Sequence, residues 1–235
     1  RTPLANMDSV AEHTLGAILA LAKNMLPLEK AARRADFDAP LSFESHDIGG
    51  KTLGIIGLGN IGRTLAKKAH GGFDMEILGY DPFVKKEDLP DYITCVEDVD
   101  DIFRRADYVS LHLNASPEND NFVDKRRLEL MKPGACLLNF SRGSNVNEAD
   151  LYEALKNHVI AGAALDVFAQ EPVRADNPLL SLDNVVLSPH CAALTVEAMD
   201  RMSYQGCQGI VEILKGEQPT WCVNYEEVRA MREKG

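Results

Sequence analysis

The stretch "KTLGIIGLGNIGRTLAKKAHGG" (51–72) constrains the fold more than any other. It opens as a short apolar run that stops at glycine, the mark of a buried strand. It resumes as a helix, with apolar residues recurring at helical spacing. The join reads G-x-G-x-x-G at Gly57, Gly59 and Gly62. Placed between a strand and a helix, that pattern has a physical reason. Gly57 permits the tight turn, Gly59 lets a pyrophosphate approach the backbone, and Gly62 lets the helix pack closely on the strand. The amides of Asn60 and Ile61 then face the phosphates at the positive end of the helix. Asp81 ends the next strand, "MEILGYDP", nineteen residues beyond Gly62. A carboxylate there accepts hydrogen bonds from ribose hydroxyls and repels a 2′-phosphate, which favours NAD over NADP.

The alternation continues. Strands are expected at 51–59, 75–82, 107–114, 134–143, 160–168 and 184–188, and helices at 60–72, 96–106, 124–131, 147–158 and about 195–215. Near-continuous apolar strands are buried on both faces, as in parallel sheets. The expected fold class is therefore α/β, a Rossmann-type doubly wound parallel sheet with helices on both faces. Ahead of it, residues 7–26 read as one helix, capped by Asp8 or Ser9, with Glu12 completing a capping box. The helix is apolar almost all round, so a partner surface is expected, either a second domain or a second subunit. Residues 29–50 read as a polar, irregular arm.

At 235 residues the chain holds one large domain, or one domain and a fragment. A net charge of −11 argues against a nucleic-acid surface. The apolar stretch "TLGAILALA" (14–22) is too short to span a bilayer, so no membrane partner is expected. Five scattered cysteines with no C-x-x-C pair speak against zinc and redox motifs, and no metal site is expected. An odd cysteine count without a signal sequence fits a reducing cytoplasm.

Three charged residues follow strands: Arg142 after "CLLNFS", Glu171 after "ALDVFAQ" and His190 after "VVLSP". The carboxyl ends of parallel strands line one crevice, where ligands bind. A guanidinium, a carboxylate and an imidazole can thus converge beside a bound nicotinamide. Taken singly, each is an ordinary strand-end polar residue; together with the glycine motif they form a catalytic set. His112 also ends a strand near the crevice, where a structural role serves as well. Cys191 has no base or helix terminus to activate it and reads as packing. His13, His46, His70 and His158 carry no informative local pattern.

From "SVAEHTLGAILALA" through "GKTLGIIGLGNIG", "GYDP", "LMKPGACLLNFSRG", "AGAALDVFAQEP" and "NPLLSLDNVVLSPHCAALTVEA" to "VN", the chain resembles the D-isomer-specific 2-hydroxyacid dehydrogenases. The resemblance covers nearly the whole chain. It implies an NAD-dependent oxidoreductase that interconverts a D-2-hydroxy acid and its 2-keto acid. His190 would then be the acid/base, Glu171 would orient and charge its ring, and Arg142 would hold the substrate carboxylate. Asp166 would bind the nicotinamide carboxamide. Leu113, Phe140, Ser141, Arg142, His190 and Ala193 would add cofactor contacts.

The resemblance also implies domain organisation. Residues 7–192 would form the dinucleotide-binding domain, with 8–50 as a homodimer interface. Residues 193–235 would belong to a substrate domain whose N-terminal lobe lies outside this chain. Without that lobe the expectation is NAD binding with weak or absent turnover, since hydride transfer needs a water-poor cleft. The alternative function is a non-enzymatic NAD(H)-sensing module like the corepressor relatives of the same fold. The substrate the resemblance implies is a small 2-hydroxy or 2-keto acid.

Overall fold

A computed structural model describes residue 2, residues 4–222 and residues 224–225. The glycine-terminated run forms β1 (Thr52–Ile56), and α3 (Asn60–Phe73) follows it directly. Further strands are β2 (Glu76–Tyr80), β3 (Ile93–Cys95), β4 (Tyr108–Leu111), β5 (Cys136–Asn139), β6 (Gly162–Leu165) and β7 (Val185–Leu187). Helices α4 (Asp100–Arg105), α5 (Lys125–Leu130) and α6 (Glu148–Lys156) lie between strands, and α7 (Val196–Leu214) follows the last. The strands form one sheet in the order β3-β2-β1-β4-β5-β6-β7, with every pairing parallel. This is the doubly wound Rossmann architecture.

Strand alternation feeds two cores. Leu53 and Ile55 of β1 turn to one face, where they join Val10, Leu15 and Ile18 of α1 (Met7–Ala22) and Leu65 of α3. Ile56 turns to the other face, among Ile102, Phe103, Val109, Leu128 and Leu151. Both faces are dry, which explains why β4, β5 and β6 are buried at every position.

The expected helix over 7–26 is two helices. α1 ends at Ala22, Asn24 takes a left-handed φ of 50°, and α2 (Met25–Arg33) begins anew. Pro27 supplies the reason: in a continuous helix its ring would strike the Lys23 carbonyl, whereas the first turn of a new helix tolerates it. The arm is accordingly helical as far as Arg33, with a 3-10 turn at Ala39–Ser42. The capping box does not form. Asn6 stands at the N-cap, the Ser9 hydroxyl bonds that of Thr195 at 2.9 Å, and Glu12 pairs with Lys68 at 2.8 Å. Nor does α1 need another subunit to cover it, because α3, β6 and β7 pack against it. Exposed apolar side chains of α2 and the arm lie further on, at Met25, Leu26, Phe37, Leu41 and Phe43. β3 is an addition to the expected strands, an edge strand of three residues after the polar segment that follows Asp81. Residue 223 and residues 226–235 of the expected 193–235 segment lie outside the described residues.

Candidate active site

The glycine loop sits at the carboxyl end of β1. Gly57 has a φ of +99°, and a Cβ there would lie 2.6 Å from the His112 carbonyl oxygen. At Gly62 a Cβ would lie 2.1 Å from the Gly57 carbonyl oxygen. Both positions therefore accept only glycine without displacement of backbone. Gly59 differs: it is the N-cap of α3, and a Cβ would meet nothing within 4 Å. Open space thus faces the helix terminus carrying Asn60 and Ile61, a cradle suited to a dinucleotide pyrophosphate. Two side chains pin the loop. The Asp81 carboxylate accepts the Leu58 amide at 2.8 Å and the Phe83 amide at 2.9 Å. The Arg63 Nε donates to the Leu58 carbonyl at 2.7 Å. Each Asp81 oxygen keeps a further lone pair for a ribose hydroxyl.

At the end of β4, His112 places Nε2 2.9 Å from the Ser110 hydroxyl, while its buried Nδ1 has no partner among the described residues. Burial pushes its pKa down to about 4, so the ring is neutral near pH 7. The Leu113 carbonyl accepts the Asn145 amide at 3.3 Å. Phe140 and Ser141 are buried beyond β5. Asn139 accepts the Ser141 hydroxyl at 2.8 Å and donates to the Arg142 carbonyl at 2.8 Å. Asn145 donates to the Ser141 hydroxyl at 3.0 Å. This buried amide–hydroxyl–amide relay fixes the backbone beneath Arg142, whose guanidinium is exposed and donates to the Ser141 carbonyl at 2.6 Å.

Asp166 follows β6 and is 2% exposed. Its carboxylate accepts the Ser188 hydroxyl at 2.6 Å and the amides of Cys191 and Ala192 at 2.9 Å each. Its carbonyl accepts the His190 amide at 2.7 Å. These bonds hold His190 at a left-handed φ of 53°, a conformation histidine adopts more readily than most residues. The His190 Nδ1 lies 2.6 Å from the Glu171 Oε2, and the Phe168 amide donates to Oε1 at 3.0 Å. Burial alone would raise the Glu171 carboxyl. The bonds from His190 and the Phe168 amide outweigh it and hold the group below the ordinary carboxylate value. A cavity of about 460 Å³ opens beside the pair, lined by Phe168, Pro172, Val173 and Pro189. Ala193 is half-buried just beyond.

The structure therefore brings Glu171 and His190 into direct contact, places Arg142 on the neighbouring strand end, and buries Asp166 as the clamp of the His190 loop. Burial, and secondarily Asp166, push the Cys191 thiol up, away from the reactive thiolate. His13, Asp166 and Cys191 bring ligand-type atoms within 4.8 Å of one another, but both Asp166 oxygens already accept loop donors.

Several participants had no recognisable role in the sequence. His13, on α1, places Nε2 3.2 Å from the Ser188 hydroxyl and packs on Phe140. Its partner lies 175 residues away, so no local pattern can reveal the contact. Asn139 falls within an expected strand and Asn145 in the turn after it, and neither shows a role until its amide is seen buried. Arg63 had a usable signal, a cation directly after the glycine motif.

The sequence matches the D-isomer specific 2-hydroxyacid dehydrogenase, NAD binding domain, family over residues 15–192. It is 39% identical over 227 residues to a D-3-phosphoglycerate dehydrogenase of Methanocaldococcus jannaschii, covering 96% of this chain and 43% of that protein. Identity is also 39% over 233 residues to a glyoxylate reductase of Thermofilum pendens, covering 97% of this chain and 68% of the relative. Among solved structures, a D-lactate dehydrogenase with NAD+ from Lactobacillus jensenii superposes with a TM-score of 0.86 at 29% identity, covering 94% of this chain and 70% of that one. The chain thus spans less than half of the phosphoglycerate dehydrogenase and about two thirds of the other two. With a glycine cradle that fits a dinucleotide and a match across the whole sheet, the chain belongs to the D-isomer specific 2-hydroxyacid dehydrogenases and carries their NAD-binding domain.

Proposed function

We propose that the protein of which this chain is the NAD-binding part interconverts a D-2-hydroxy acid and its 2-keto acid, with His190 as acid/base. The 2.6 Å contact between His190 Nδ1 and Glu171 Oε2 carries this reading. It assigns the Nδ1 proton to the carboxylate side and leaves Nε2 for the substrate oxygen. In reduction, Nε2–H protonates the oxygen of the keto group as the carbonyl becomes an alcohol; in oxidation, neutral Nε2 takes that proton back. Glu171 stabilises the imidazolium needed for the first direction. Arg142, exposed at the end of β5, binds the substrate carboxylate. NAD, when bound, supplies or accepts the hydride. Gly57, Gly59, Gly62, Asn60 and Ile61 hold its pyrophosphate, Asp81 its ribose, and Leu113, Phe140, Ser141, Asp166 and Ala193 border the nicotinamide end. Asp81 favours NAD over NADP.

We further read residues 7–192 as the dinucleotide-binding domain, with 193–235 returning toward a substrate lobe outside this chain. Two copies pair through residues 8–50, where Phe37 and Leu41 are 84% and 88% exposed. A reducing cytoplasm suits the five free cysteines. The chain alone turns over weakly or not at all, since no lobe closes over the cavity among the described residues.

The test is oxidation of NADH by a panel of 2-keto acids, with this chain and with the chain joined to an N-terminal lobe, each beside a His190→Ala control. Turnover in the joined protein that disappears with His190→Ala supports the reading. Tight NADH binding with no turnover across the panel overturns it in favour of a dinucleotide-sensing module.

A further inference from the structure

Glu171 lies in a segment, 166–177, that has no regular helix or strand. A loop of this length holds a side chain in one place only where its backbone is tied down. Glu148, the first residue of α6, ties it on both sides of Glu171. Its Oε1 accepts the Ala169 amide at 2.6 Å, and its Oε2 accepts the Asn177 side-chain amide at 2.8 Å. Asn177 is itself fixed, since its Oδ1 accepts the Leu179 amide at 3.0 Å and Leu179 is fully buried. The Ala169 amide adjoins the Phe168 amide, which donates to Glu171 Oε1 at 3.0 Å. One more contact locks this corner: a Cβ on Gly143 would lie 1.9 Å from the Phe168 backbone. The turn after Arg142 and the start of the Glu171 loop are thus in backbone contact, and Glu148 staples the loop to them.

We propose that Glu148 is a positioning residue, which holds the Phe168–Glu171 segment so that Glu171 meets both the Phe168 amide and His190. The inference rests on the acid/base reading of His190 for its functional meaning. Its geometry stands apart from that reading. Glu148 touches neither Glu171 nor His190 directly; it acts through the backbone at Ala169. The charged groups facing Glu171 are His190, after β7, and Asp166, after β6.

The test uses this chain, titrating the Glu171 carboxyl by carbon NMR and following amide hydrogen exchange at Phe168 and Ala169. Glu148→Ala removes both ties. Asn177→Asp keeps the oxygen that accepts from Leu179 but sets a carboxylate against Glu148, so it breaks one tie alone. In Glu148→Ala the Glu171 midpoint rises toward the ordinary value of about 4.3, because the Phe168 and His190 bonds loosen. Exchange at Phe168 and Ala169 becomes about tenfold faster, while NADH affinity stays within about twofold. Asn177→Asp shifts the midpoint the same way by less.

A merely structural role would lower stability without moving the Glu171 midpoint, and that result overturns the proposal. If Glu148→Ala does not fold, Glu148→Leu, which fills the same space but accepts neither the Ala169 nor the Asn177 amide, decides: an unmoved midpoint overturns the proposal and a raised one upholds it. Failure of the acid/base reading looks different, since the joined protein with His190→Ala would still turn over while the Glu171 midpoint still moves.

Discussion

His112 makes the stability of this domain depend on pH in a calculable way. Its ring is buried at the end of β4, bonds Ser110 through Nε2 and leaves Nδ1 without a partner among the described residues. Protonation would place a charge there with no acceptor, so the native pKa lies near 4 rather than the ordinary 6.5. Between those values the unfolded chain binds the proton and the folded chain does not. Stability is therefore complete above pH 6.5 and is lost as pH falls toward 4. At about 1.4 kcal/mol per pH unit the ceiling is about 3 kcal/mol, and about 2 kcal/mol of it has gone by pH 5. His112→Gln keeps a polar group for Ser110 but does not titrate. Urea unfolding of both proteins at several values between about pH 5 and 7.5 isolates the difference. The variant should lose about 2 kcal/mol less than the parent over that range. Parallel pH profiles would refute the argument, because they would mean that the buried ring is charged at little cost.

Three further outcomes are expected. Gly59→Ala should weaken NADH binding with little change in melting temperature, whereas Gly62→Ala should lower both, since only the second Cβ strikes backbone; calorimetry and thermal melts separate them. Asp81→Ala removes the acceptor of the Leu58 and Phe83 amides; stability should fall by about 2 kcal/mol and the preference for NADH over NADPH should narrow in paired titrations. Arg142→Lys keeps the charge but loses the planar fork, so in the protein joined to its lobe kcat/KM for the keto acid should fall by about 10- to 100-fold.

The parts of the site legible in the sequence are those where chemistry and backbone share one short segment. The glycine motif is such a case: the turn, the close packing and the open N-cap follow from consecutive residues. The parallel sheet was legible because strands covered on both faces must be apolar throughout. β3 was not, because a three-residue edge strand carries too little pattern beside the polar segment before it. The break between α1 and α2 was readable at Pro27, but the apolar run through Leu26 masked it. The supports of the site were least legible. His13, Asn145 and Glu148 act on residues that are distant in sequence, and their types alone do not separate a buried polar anchor from a solvated one. Asp166 was picked out by the family resemblance alone, and the loop amides that occupy it emerge only when β6 and β7 lie side by side.

The strand order has a kinetic consequence. β1, β2 and β3 pair in sequence, as do β4 through β7, so each run can assemble from neighbouring segments. Only the pairing of β1 with β4 joins the two runs, and it closes a loop from Leu53 to Tyr108. Long closures of this kind are slow and entropically costly. Gly57 lies on one side of this seam and His112 on the other, with their backbones in contact. A dinucleotide seated against both halves would bind only chains in which the seam has closed and would oppose its reopening by mass action. In refolding, the recovery of NAD binding should therefore trail the recovery of helical signal, and it reports completion of the sheet.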